Sequence, residues 1–490
     1  MNIYVEDTVG SKVWARCTVP NPPERYVGGL VVDGVVEGRP MKVTLPPEEM
    51  VQEEVVELRD VEDLCDLGHV HEATILEAIE RRCAAGRPYV AAGDVVLAVN
   101  PFKWLPLYTE DLRALHSDAP SSDETRRAAH VYSVSGAAAR GAARGEDQSI
   151  LVSGESGAGK TETVKLMLAH LADIAQHGSA TKTIVAQVLR AGPLLESFGN
   201  AATLRNGNSS RFAKFLRVEF DRDTMAIESS WCETALLEKT RVVERASGER
   251  TYHVFYEHLR KREADAGRLD TVPSYLSEHP HAVADASAAH ARGKDDLSSH
   301  GGMVDGLRAV CGLDDGEVAG LLHCVDAVLA LGDVRFDTVV ISTVDDDGCK
   351  VANPPALTGA AAALGCDRKL LERGLTLREI RSATVALSAE SAADARDALA
   401  KELYSRVFDK VVALSNAATR RAEGDARPPG VVIGMLDLFG FEFYGAAGSA
   451  NGFEQLLISS ATARSTTWKP CARRRASTAR QRSRLSRGAT

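Results

Sequence analysis

No run of about 18 uninterrupted apolar residues occurs in this chain, so no segment of it reads as a helix able to span a bilayer. The N-terminus, MNIYVEDTVG, lacks the basic patch and apolar stretch of a secretory leader. Both absences point to a cytoplasmic protein. Cysteine is sparse, nine in 490 residues, and no Cys-x-x-Cys pair occurs. That excludes the usual zinc-ligand spacings and a small disulfide scaffold, and reduced thiols are expected. Low-complexity tracts are missing too, in a composition that is 44% hydrophobic and 26% charged.

Charge is present but unevenly placed. The formal net charge is −10, yet residues 459–490 carry nine Lys or Arg and no acid, which leaves an acidic body and a basic tail. A chain of 490 residues is too long for one ordinary core, so a large α/β domain with at least one satellite is expected.

Residues 1–60 hold short β-rich pieces between Pro, Gly and Asn turn signals, which predicts a small β-barrel. From Val61 onward helical and strand patterns alternate, as for helices covering a mostly parallel sheet. Ser149–Ser153 reads as a short buried strand, followed by a helix from near Lys160 with Val164, Met167, Leu168, Leu171 and Ile174 on one face. FAKFLRVEF and the segment around Trp231 to Leu237 read as strands. TYHVFYEHLRKR, GEVAGLLHCVDAVLALG and AADARDALAKELYSRVFDKVVAL read as helices. VVIGMLD, residues 431–437, is an apolar strand ending in an acid, and beyond Ile458 no apolar periodicity remains that could bury a core.

The strongest local signal is Gly154-Glu155-Ser156-Gly157-Ala158-Gly159-Lys160-Thr161, a complete G-x-x-x-x-G-K-T between a strand and a helix. Its glycines let backbone N–H groups turn inward around a di- or triphosphate, at which the helix N-terminus also points its partial positive charge. Lys160 is expected to reach the β- and γ-phosphate oxygens and the Thr161 hydroxyl to ligate Mg²⁺. Asp437 suits the acid that supports the ion, although an acid at a strand end also serves as a cap. His69, His71 and His323 have no triad-like companions and read as ordinary fold residues. Asp345-Asp346-Asp347-Gly348 lacks the later bidentate Glu of a calcium loop and reads as a solvated turn.

Three further motifs narrow the class. Asn206-Gly207-Asn208-Ser209-Ser210-Arg211-Phe212 resembles the first switch loop of myosin motor heads, and Asp437-Leu438-Phe439-Gly440-Phe441-Glu442 resembles their second. Asn100-Pro101-Phe102-Lys103 through Tyr108 is similar to the myosin adenine-contact loop. The likeness runs over about residues 61–458, in myosin order, with Gly207, Ala213 and Trp104 as modest departures. Kinesins share the phosphate loop and a Ser-Ser-Arg switch but lack Phe-Glu after the second-switch glycine. The guanine reader of small GTPases, Asn/Thr-Lys-x-Asp, does not occur.

The resemblance implies a P-loop NTPase-type α/β fold, with ATP and Mg²⁺ as cofactors. Glu155, Ser156, Ala158, Glu162 and Asn206 would join the nucleotide pocket, and Asn100, Pro101 and Tyr108 would touch the adenine. Thr161, Ser210 and Asp437 would serve the metal, Ser209 would place the attacking water, and the Gly440 N–H would donate to the γ-phosphate. Arg211 and Glu442 would form an ion pair across the two closed loops. About residues 375–391 occupy the place of an actin-contacting loop. Actin filaments and ATP are the implied partners, in a cytoskeleton-associated setting.

The relay helix, lower actin-binding lobe, converter, light-chain helix and a strand beside the phosphate-loop strand are absent by the same comparison. Light chains are therefore not expected, and the chain alone is expected to be unstable. No specific nucleic acid is implied. Two readings of residues 459–490 stay open: an error of frame or splicing, or a genuine basic tail for anionic membrane or nucleic acid. The corresponding alternative for function is an inactive nucleotide-binding fragment with a basic interaction tail.

Overall fold

The computed structural model describes residues 61–437 other than 68–69, 71, 118–127, 176–178, 205, 267–271, 278–294, 341–346, 381–382 and 422–429, together with six short strands between Asn2 and Gln52. The chain divides into two compact units, residues 1–140 with 166–174 and residues 141–165 with 175–490.

In the first unit, β1 (Asn2–Glu6), β2 (Lys12–Arg16), β3 (Tyr26–Val27) and β6 (Val51–Gln52) form a sheet in the order β3-β1-β2-β6, while β4 (Gly34–Val36) and β5 (Arg39–Met41) pair separately. Among the described residues these ladders do not close on one another as the expected barrel would. The helix α1 (Glu72–Ala84) follows, then the hairpin β7 (Tyr89–Ala92) and β8 (Val95–Ala98). Gly93 at its two-residue turn has φ +60°, the left-handed backbone that such a turn requires. Val61, Leu64, Leu67, Ala78 and Val90 pack beneath it. Arg82, almost wholly buried, is satisfied by the carbonyls of Val61 at 2.7 Å and Tyr89 at 2.7 and 2.9 Å. Two more helices, α2 (Glu110–Ser117) and α3 (Val131–Ala143), complete the described elements up to the division.

The second unit opens with β9 (Gln148–Val152), then α4 (Lys160–Ile174), within which the division falls, and α5 (Ser179–Gly199). Two short strands, β10 (Asn200–Ala201) and β11 (Ser209–Ser210), lead into β12 (Ala213–Phe220) and β13 (Ile227–Ala235). Helices α6 (His253–Ala266), α7 (Ser274–Ser277), α8 (Asp296–Ala309) and α9 (Asp315–Gly332) come next. The hairpins β14 (Phe336–Val340) with β15 (Asp347–Val351) and β16 (Leu377–Ile380) with β17 (Ala383–Ala386) flank α10 (Pro354–Leu364) and α11 (Arg368–Thr376). A 29-residue helix, α12 (Ala389–Ala417), and the strand β18 (Val431–Asp437) end the described chain.

Helix starts follow local chemistry. Asp314 and Glu317 form a reciprocal capping box at α9, and Ser388 caps α12 through the Ser391 N–H. Of the stripe expected on α4, Val164, Met167, Leu168 and Leu171 are buried and Ile174 is half-buried. One large core joins α5, α6, α8, α9 and α12, with Tyr252, Phe255 and Tyr404 stacked within it and the Phe198 carbonyl accepting from Tyr404 Oη at 2.6 Å.

The central sheet has the order β13-β12-β18-β9. Only β18 and β9 run parallel; β12 is antiparallel to both β13 and β18. The expectation of a mostly parallel sheet is therefore corrected to a mixed one among the described residues, because β12 and β13 form a hairpin closed at Asp221–Ala226. In the parallel pair Asp437 stands opposite Val152, so both strands finish together where the phosphate loop begins. That is the edge at which α/β sheets place their ligands. No described helix is long and apolar enough to cross a membrane.

Candidate functional site

Four turns of sequence build the site. Between β9 and α4 the loop 154–159 uses left-handed backbone at Gly157, φ +84°, and Gly159, φ +90°, conformations that L side chains rarely adopt. The Lys160 ammonium donates to the carbonyls of Gly154 and Glu155, both at 2.8 Å, so its charge lies along the loop.

Across the sheet end, Thr161 Oγ1 donates to Asp437 Oδ2 at 2.8 Å. Asp437 is buried, and that burial pushes its carboxyl up; the Thr161 hydroxyl and the cations of Lys160 and Lys214 act against the shift. A buried acid beside a hydroxyl is a pair of hard oxygen donors, the chemistry that Mg²⁺ selects while keeping waters and phosphate oxygens as its other ligands. The residues present thus fit that ion.

The 206–211 loop is a hairpin closed by the two-residue ladder of β10 and β11, in which Asn200 faces Ser210 and Ala201 faces Ser209. Successive strand residues point to opposite faces, and that separates the two serines. Ser209, buried, accepts from Ser156 Oγ at 2.9 Å and from Arg211 Nη1 at 3.3 Å. Ser210 donates to Asn200 Oδ1 at 3.2 Å instead. Asn206 Nδ2 donates to Ser156 Oγ at 3.4 Å, tying the hairpin tip to the phosphate loop. Asn208 is held from three sides, by Glu196 at 3.1 Å, Asn200 at 3.0 Å and His253 at 3.1 Å.

Arg211 is 1% exposed and its Nε donates to Glu238 Oε2 at 2.6 Å. Arg241 Nε reaches the same oxygen at 2.7 Å. Burial acts to raise the Glu238 carboxyl, but Arg241 and Arg211 win and hold it below the usual carboxylate range. Gly199 lies just before this hairpin, and a Cβ there would collide with the ring of Phe212 and sit 3.1 Å from Phe408.

The structure therefore joins Thr161 with Asp437, and Ser156 with Asn206, Ser209 and Arg211. It gives Ser210 no bond to Thr161 or Asp437 among the described residues. Glu162 lies on an exposed helix face, paired with Lys165 at 2.8 Å. Gly440 and Glu442, expected at the second switch, lie outside the described residues.

Asn100, Pro101 and Tyr108 belong to the first unit. There Asn100 Oδ1 accepts from the Phe102 N–H at 2.9 Å, and Tyr108 Oη lies 2.8 Å from Tyr89 Oη. Sequence reasoning gave no role to Glu238, Asn200 or Glu196, and named Asn208 only as part of the first-switch motif. The motif text had singled out neither glutamate, but the register of β12 with β13, extended by a few residues, would have set Glu238 near Arg211.

With this geometry in place, the likeness to known proteins is specific. The family profile described as myosin head (motor domain) matches residues 61–464. Unconventional myosin-Ia of Gallus gallus is 34% identical over 81% of this chain, and Myosin-8 of Arabidopsis thaliana is 34% identical over 92%. Myosin-H heavy chain of Dictyostelium discoideum is 30% identical over 91%. These matches cover 37%, 30% and 28% of the three relatives, so the chain spans about a third of their length.

Proposed function

Because the chain belongs to the myosin head (motor domain) family, we propose that it carries the ATP-binding, Mg²⁺-dependent ATPase core of an actin-based motor, whose cycle moves actin filaments in the complete protein. One observation carries the reading: the 2.8 Å bond between Thr161 and Asp437, which couples the phosphate loop to the end of the neighbouring parallel strand.

The backbone N–H groups of 154–159 and the N-terminus of α4 receive the phosphates, and Lys160 swings from the loop carbonyls to the β- and γ-oxygens. Thr161 and Asp437, with Ser210 turned from Asn200, would hold Mg²⁺, which would supply charge neutralisation at those oxygens. Ser156 receives a hydrogen bond from Asn206 and passes its own to Ser209, which also accepts from Arg211. The Ser209 hydroxyl hydrogen is thereby left to orient a water toward the γ-phosphorus. Positioning and charge stabilisation of this kind, more than a strong base, are what phosphoryl transfer to water demands.

Closure of Arg211 on Glu442, donation from the Gly440 N–H and adenine contact by Asn100, Pro101 and Tyr108 complete the proposed site. The segment of about residues 375–391 is the proposed actin-facing element of this half of the head, and cytoskeletal association follows from that partner.

Binding of a fluorescent ATP analogue and Mg²⁺-dependent phosphate release, each with and without filamentous actin, test the reading. The wild-type chain is expected to bind the analogue, and Lys160→Ala to weaken binding by tenfold or more, about 1.4 kcal/mol at least. A folded wild-type chain indifferent to ATP ends the proposal.

A further inference from the structure

Arg211 has two described functions in one planar group. Its Nη1 fixes the Ser209 oxygen at 3.3 Å, and its Nε is fixed by Glu238 at 2.6 Å. A guanidinium is a rigid fork, so holding one edge sets the direction of the other. We infer that Glu238 is a positioning residue of the nucleotide site, which orients the Ser209 hydroxyl through Arg211; the inference rests on the ATPase reading above.

The chain anchors Glu238 firmly. Its N–H donates to the Arg211 carbonyl at 3.0 Å and its own carbonyl accepts from Tyr252 Oη at 2.7 Å. The Arg211 N–H in turn donates to the Gly199 carbonyl at 2.9 Å, so both partners are pinned by backbone before any side chain acts.

Beyond Glu238 the charges alternate: Arg241 shares its carboxylate, and Arg241 Nη2 lies 2.8 Å from Glu249 Oε2. Arg211, Arg241 and Glu249 are each at most 3% exposed, and two cations with two anions sum to zero. A buried run of this kind keeps its geometry only while every charge is matched. Asn416 and Glu402 are examples of polar residues of the same unit that serve β13 and Lys239 and touch neither Arg211 nor Ser209 in the described bonds. Glu238 is distinguished from them by its direct bond to the group that reaches the site.

A purely structural Glu238 and a positioning Glu238 make different predictions in the whole chain. Glu238→Gln is expected to leave affinity for the fluorescent ATP analogue within about threefold while turnover falls roughly ten- to hundredfold, the scale of a small misplacement at a reacting centre. Glu238→Asp, which keeps the charge, is expected to recover part of the turnover. Glu238→Gln combined with Arg241→Gln removes one of the two facing cations together with the anion and restores a zero sum, so part of the thermal stability lost in Glu238→Gln is expected to return while turnover stays low.

Wild-type turnover in Glu238→Gln overturns the inference, as does a double variant in which stability and turnover recover together. Those outcomes leave the ATPase reading standing. A wild-type chain that neither binds nor hydrolyses ATP removes both.

Discussion

Two regions of this molecule bury polar groups by opposite means. Around the phosphate loop, the second unit sinks Arg211, Glu238, Arg241 and Glu249 as alternating full charges. In the first unit, His116, His130 and His170 lie buried among Tyr89, Tyr108 and Tyr132, with ring centroids 4.5–6.5 Å apart. Here neutrality does the work. Burial drives His130 and His170 down to about 4, with the neighbouring His116 adding to the fall. His170 Nε2 faces the Arg113 carbonyl at 3.1 Å, which can only accept, so the ring carries its hydrogen there and Nδ1 accepts from Ser135 Oγ at 2.7 Å. One region is stable because its charges are matched, the other because they are never formed.

Unmatching the charged region should produce the largest effect. Arg241→Ala leaves Glu238 with Arg211 alone and leaves Glu249, 1% exposed, without its guanidinium. Breaking one side of a buried pair costs about 3–5 kcal/mol. Denaturant unfolding should show that loss, and a change below about 1 kcal/mol would mean that the run of charges is not a coupled unit.

Acid should separate the two regions next. The folded-state value of about 4 for His130 and His170 lies below the ordinary 6.5, so the unfolded chain takes up more protons between those values. Their contribution is complete above 6.5 and is lost as pH falls toward 4. From pH 7 to pH 5 the loss is on the order of 2 kcal/mol for each ring. Arg113, Asp173, Arg140, Tyr89, Tyr108 and Tyr132 are the charged and titratable neighbours that share this environment. Glu238, held low by its arginines, stays ionised over the same range. Protection from hydrogen exchange, taken relative to the intrinsic rate at each pH, should therefore fall at pH 5 in 128–140 before it does in 209–220, and His170→Phe should flatten that response. Equal loss of protection in both segments would erase the distinction.

What the sequence disclosed, and what it withheld, follows from range. The strand 431–437 and the buried stripe of α4 are written in consecutive or periodic residues, and the structure reproduces them. The phosphate loop is likewise contiguous, and its strand–loop–helix setting is observed. Strand direction is not local: the apolar pattern of FAKFLRVEF does not say whether its neighbours run parallel, although Asp221 bonding to Asp223 and Thr224 marks the tight turn that makes β12 antiparallel to β13. The start of β13 at Ile227, four residues before its aromatic signal, was hidden because IESS is largely polar yet mostly buried. Opposed faces explain Ser209 and Ser210: adjacent in sequence, they part company only once the β10–β11 ladder forms.

The smallest effect should sit next to the largest in the chain. Lys239 follows Glu238 directly, but its side chain is 43% exposed and meets Glu402, 52% exposed, at 3.4 Å. In water such a pair gains little Coulomb energy, loses side-chain freedom and is screened by salt, so it contributes about 0–1 kcal/mol. Lys239→Ala should shift stability by less than about 0.5 kcal/mol and leave turnover unchanged, with whatever small shift appears fading in high salt. A loss approaching that of Arg241→Ala would show that the Lys239–Glu402 bridge, not the Glu238 carboxylate beside it, holds Arg211 in place.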